Sequence, residues 1–171
     1  MQEHKAVAIT IGTDGGPLNA LELTNYLKYF RAAYVECLRA LEISRLPGND
    51  YPYFDDPKLL AKHVLETGRR VSGYTLHSIS TSLLQPEDDL VFYDIQRRNP
   101  LDFLLGGVVV AVAAAVVISG GEIKINKDGF HAKVRSLGQG LTDIRKALSK
   151  NPASQQGVPV KKPKPPRKND A

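Results

Sequence analysis

The residues able to do chemistry in this chain are few and scattered. Gly12-Thr13-Asp14-Gly15-Gly16 lies between a strand-like run and a helix start, where backbone N–H groups can hold a phosphate. The loop lacks the Lys-Ser/Thr pair of a P-loop and the spacing of GxGxxG. Gly12, Asp14, Gly15 and Gly16 are therefore a candidate ligand loop whose ordinary alternative is a strand–helix turn. Asp55-Asp56 offers carboxylates to a hard cation, yet its place before Pro57 also suits a helix cap. Glu87-Asp88-Asp89 reads as a solvated turn. His4, His63, His77 and His131 fall in four separate segments, with no HxxxH or HExxH spacing, so no metal site is expected. The single cysteine, Cys37, sits on an apolar helical stripe and reads as a small buried hydrophobe. One cysteine also excludes a disulfide framework within these residues. No reaction, metal or cofactor is legible, and the expectation is a non-enzymatic protein.

Charge is distributed unevenly. Residues 1–98 hold 11 Lys+Arg and 13 Asp+Glu, a net of −2, whereas residues 99–171 hold 12 and 5, a net of +7. The overall balance of +5 is thus a property of the second half and carries no general argument for nucleic-acid binding. Five cations close to the end, Lys161, Lys162, Lys164, Arg167 and Lys168, alternate with prolines in an extended tail. They are candidate contacts for anionic lipid or phosphate. No aromatic residue accompanies them to stack on bases, which disfavours nucleic acid as the partner.

Periodicity supplies the elements. Residues 5–11 alternate and predict a strand. Leu23, Leu27, Phe30, Tyr34, Cys37 and Leu41, spaced by three and four, predict an amphipathic helix over 17–43. A second helix opens at Asp56-Pro57 and ends near Gly68. Strands are expected over 74–83 and 90–96, then a hairpin over 122–126 and 130–135 and a short helix over 138–149. Residues 151–171 form a basic Pro/Lys-rich tail with too few apolar groups to pack.

Phe103 to Gly121 carries 19 consecutive uncharged residues. With Asn99-Pro100 as its start, a helix over 100–119 would be about 30 Å long, the thickness of a bilayer core, and would have no polar face. Gly107, Ala111, Ala115 and Ser119 recur every four residues, the small-residue spacing that lets helices associate closely. Two expectations follow. In the first, residues 1–98 form an α/β domain, 99–120 a membrane helix that self-associates, 121–150 a hairpin plus helix, and 151–171 the tail. The protein is then a membrane-associated anchor, adaptor or assembly module with its α/β domain on the cytoplasmic side. In the second, the element order is that of a ferredoxin-like α+β sheet. The same helix is then buried in a soluble, cytoplasmic oligomer that binds protein or RNA. The two exclude each other, because a spanning helix would separate the 122–135 hairpin from the earlier strands.

Overall fold

Strand β1 (Val7–Ile11) buries Val7, Ile9 and Ile11 on one side and leaves Ala8 and Thr10 half-covered on the other. The computed structural model describes residues 7–11, 19–48, 54–67, 73–97, 101–126, 129–134 and 136–149. Helix α1 (Ala20–Ser44) starts at Asn19, whose side chain accepts from the N–H groups of Leu21 at 2.9 Å and Glu22 at 3.3 Å. Its stripe buries Phe30, Tyr34, Cys37 and Leu41 as the spacing predicts. Helix α2 (Pro57–Thr67) is capped by Asp56, which accepts from the Lys58 N–H at 2.8 Å.

The strand expected over 74–83 is a helix, α3 (Gly73–Ser80). Eight residues are too few for alternation and helical spacing to be told apart, and packing against α1 decides the outcome. Strands β2 (Val91–Arg97) and β3 (Leu101–Gly106) are followed by α4 (Val109–Ile118). Then come the hairpin β4 (Glu122–Asn126) and β5 (Gly129–Val134), and α5 (Leu137–Ser149).

The five strands form one mixed sheet in the order β2-β3-β1-β5-β4. β1 pairs antiparallel with β3 and parallel with β5. The four-stranded antiparallel ferredoxin-like arrangement therefore does not form, because β5 takes the place beside β1 and pushes β4 to the edge. One sheet also takes strands from both sides of residues 98/99 and 120/121, so those positions do not divide the fold.

The single apolar helix over 100–119 does not exist either. Its first third is β3, and the chain turns at Gly107, whose φ of +146° is open to glycine and strained for other residues. Asp102, expected in a first helical turn, instead accepts a hydrogen bond from the Thr10 hydroxyl at 2.8 Å on the sheet. What remains is α4, ten residues and about 15 Å long, half of a bilayer core. It lacks a polar face because α1 and α2 pack against it along with the sheet. Ala111 to Val116 are fully buried within the chain itself. Among the described residues, no helix is long and apolar enough to cross a membrane.

Candidate functional site

The helix layer covers one face of the sheet. Among the described residues nothing covers the other, and strand register places its side chains in two cross-strand rows. The first row runs Asp94 (β2), Leu104 (β3), Ala8 (β1), His131 (β5) and Lys124 (β4). The second runs Gln96, Asp102, Thr10, Lys133 and Glu122 in the same strand order. Asp94, Gln96, Leu104, Glu122, Lys124, His131 and Lys133 are exposed. Small residues occupy the centre, so the face is lowest over β1.

Its charges are unevenly placed. The β2–β3 side carries Asp94 and Asp102, and the β5–β4 side carries Lys133 and Lys124 together with Glu122 and the His131 imidazole. On the acidic side the Gln96 amide donates to Asp94 at 2.6 Å, and Thr10 holds Asp102. Among the described residues no ion pair engages Lys124 or Lys133. A bulge at Phe92–Asp94 places the Tyr93 ring over Gly106, where a Cβ would come within 2.5 Å of it. Glycine there leaves room for the ring, which remains 59% exposed.

The residues nominated from sequence lie elsewhere. Gly12, Asp14, Gly15 and Gly16 fall outside the described residues, as do Lys161, Lys162, Lys164, Arg167 and Lys168. Gly107, Ala111, Ala115 and Ser119 are all buried. The stripe is used internally, against α1. A Cβ at Gly107 would sit 3.1 Å from the Tyr34 hydroxyl, and Ser119, at the other end, neighbours Tyr26. Close approach between helices is what the small residues provide, but both helices belong to one chain. They leave no surface there for a second copy.

Asp55 and Asp56 border an open hollow of about 550 Å³ with Pro57, Lys58 and Ile123. Asp56 is already occupied as the α2 cap, and no group of three His, Cys, Asp or Glu among the described residues is placed to hold a metal ion. A second hollow of about 330 Å³ between α1, α3 and β2 has an apolar floor that includes Leu27, Phe30, Leu90 and Phe92. Arg31 lies at its edge. The acidic turn is tied to it: Arg31 meets both Asp89 carboxylate oxygens at 2.9 and 3.0 Å, the Ser82 carbonyl at 3.0 Å and the Ser80 carbonyl. Asp89 thus serves the fold and is not simply solvated.

Three buried acids complete the electrostatics. The Tyr34 hydroxyl accepts from the Val108 N–H at 3.1 Å, at the start of α4, and donates to the Asp88 carbonyl. Burial pushes its pKa up to about 12, with the Val108 N–H opposing and the Asp88 and Asp89 charges adding to the rise. The Tyr26 hydroxyl is buried beside Ser119 without a well-formed hydrogen bond. Burial raises its pKa, and Ser119 works against the rise. Burial likewise raises the Cys37 thiol, which holds it in the unreactive protonated form.

The chain matches no protein family, no curated protein and no solved structure.

The uncovered face is the feature that sequence reasoning missed. Alternation in KAVAITI shows that this strand has two sides. Which polar residues become neighbours depends on the β1–β5 and β1–β3 registers, and these are long-range facts.

Proposed function

We propose that this protein is a non-catalytic binding and assembly module whose working surface is the uncovered face of the sheet. The observation that carries the reading is the uneven placing of charge in the two rows on a face that no described helix covers. A sheet face left to water alone needs polar residues but no sorting by sign. Here both aspartates of the face lie on one side of β1 and both lysines on the other, with Glu122 beside the lysines. The buried thiol and the hydrogen-bonded carboxylates supply no activated nucleophile or acid–base pair to support a catalytic reading. The membrane-spanning form of the anchor reading loses its support with the helix over 100–119.

A protein surface fits this face better than RNA does. Sheets that read RNA present two or three aromatic rings for bases and a basic field for phosphates. Here the carboxylates Asp94, Asp102 and Glu122 outnumber the lysines Lys124 and Lys133, and Tyr93 is the one Phe, Tyr or Trp side chain described on the face.

The test is site-directed photocrosslinking of the full chain in its native cells. A photoreactive residue at Tyr93 or His131 should give nuclease-resistant protein adducts that the same group at Leu59, exposed on α2, does not give. Nuclease-sensitive adducts, or adducts from Leu59 alone, would overturn the reading.

A further inference from the structure

We propose that the protein occupying this face is a second copy of the same chain. The two sheets would be stacked about a two-fold axis running close to the direction of β1. The inference rests on the binding reading above and names its partner.

The rows carry the argument. A two-fold axis along the central strand keeps each residue at its level on the strand and exchanges left with right. β3 of one copy then lies over β5 of the other, and β2 over β4. In the first row Asp94 meets Lys124 of the second copy, Leu104 meets the apolar body of His131, and Ala8 faces Ala8. In the second, Asp102 meets Lys133, Gln96 offers its amide to Glu122, and Thr10 faces Thr10. Two opposite-charge pairs and an amide–carboxylate pair form on each side of the axis, and no like charges are opposed. The alternative two-fold axis, across the strands, would place β2 over β2 and β4 over β4. With that axis on a row, each charged residue meets its own copy, Asp94 on Asp94 or Lys133 on Lys133, which costs several kcal/mol. With the axis between the rows, Lys124 meets Glu122 but Asp94 meets Gln96 and Asp102 meets Leu104, so neither aspartate finds a cation. The charge pattern thus selects one symmetry.

Dimensions agree with this arrangement. Packed sheets lie about 10 Å apart and cross at about 30°, so the axis bisects that angle and runs about 15° from β1. Ala8 and Thr10 at the centre permit that approach, and a long lysine opposite a short aspartate spans the gap. The crossing angle displaces outer strands more than inner ones, so Asp102–Lys133 is the pair it moves least. Five strands about 4.8 Å apart and roughly 20 Å long give a face of about 480 Å² per copy. The area buried in both copies together is then about 1,000 Å², the lower end for a specific interface. The expected dimer is accordingly reversible and salt-sensitive.

Analytical ultracentrifugation of the full chain is the experiment, run with the melting temperature of each variant. Wild type should dimerise with concentration and dissociate as salt rises. Asp102→Lys and Lys133→Asp should each weaken self-association at least about tenfold. Mixed together they should form a heterodimer, because each chain's altered residue then faces an opposite charge in the other. The double variant D102K/K133D should recover the homodimer. Rescue on mixing cannot come from a variant that has merely unfolded. A wild-type chain that stays monomeric, or a dimer indifferent to both charge reversals, would overturn the proposal. If photocrosslinks from Tyr93 and His131 to another protein persist in that case, the binding reading stands with a different partner. If they are absent too, both fail.

Discussion

The two faces of the sheet are built from the same strands and differ by a shift of one residue. On the covered face Val7, Ile9, Ile11, Leu105, Ala132 and Val134 are all below 5% exposed. One position along each strand lie Ala8, Thr10, Leu104, His131 and Lys133. The covered face is apolar without further distinction, and many hydrophobic sets would serve as well. The uncovered face carries sign, order and spacing, which a solvated surface does not require. Stability and recognition are thus assigned to opposite sides of one set of strands, and substitutions on the two sides should separate them.

The largest effect should come from filling the small-residue side of α4. Ala111→Leu adds three carbons at a site with no exposure, and overpacking of a close core costs about 1–3 kcal/mol or more. Gly107→Ala adds backbone strain of about 1–3 kcal/mol and crowds the Tyr34 hydroxyl. Urea titration of these variants should show a lowered midpoint or no folded baseline. If instead the fold persisted and only oligomer size changed, the stripe would be an intermolecular surface after all.

Next in size is Arg31→Ala, which leaves the Asp89 carboxylate and the Ser80 and Ser82 carbonyls without their donor. Removing one partner of such a part-buried, charge-assisted set should cost about 2 kcal/mol. Arg31→Lys should recover little of it, because an ammonium lacks the planar fork that reaches three acceptors at once. Full recovery with lysine would show that charge alone holds α1 to the 80–90 segment.

Alkaline pH probes the covered side in a different way. Tyr34 titrates near 10 when unfolded and at about 12 in the fold. Its contribution is complete below pH 10 and is lost as pH rises toward 12, by roughly 2 kcal/mol. Tyr26 and Cys37, also raised by burial, act with the same sign. Base unfolding should therefore steepen above pH 9 to 10, and Tyr34→Phe should flatten part of that slope in a pH series of thermal melts. An unchanged slope would remove Tyr34 from the buried set.

How far the sequence discloses this arrangement varies by region. α1, α2, α5 and the β4–β5 hairpin are legible because each has its own period, cap or turn: the 3–4 stripe of α1, Asp56 and Lys127-Asp128-Gly129 are local signals, whereas the α1 start falls at Asn19-Ala20 and not at the expected residue 17. The 103–118 run is not legible, because a buried strand and a buried helix look alike when every residue is apolar. Gly106-Gly107 was the available clue, and the four-residue spacing of Gly107, Ala111, Ala115 and Ser119 hid it by suggesting helix continuity. The uncovered face was illegible for a different reason. Lys124 and Asp94 are 30 residues apart and belong to one row only through β3, β1 and β5.

The smallest expected change in stability is the sharpest test of the comparison. Lys124 is exposed on edge strand β4, and among the described residues no ion pair uses its charge. Lys124→Glu should thus leave the melting free energy within about 0.5 kcal/mol of wild type. It should still weaken the dimer, because Asp94 of the second copy would face a carboxylate, and raising salt should narrow the difference by screening that repulsion. A salt series of self-association for the two proteins reads this directly. Curves that run parallel at all salt concentrations would place the effect in packing rather than charge, and the sorting of signs across β1 would lose its meaning.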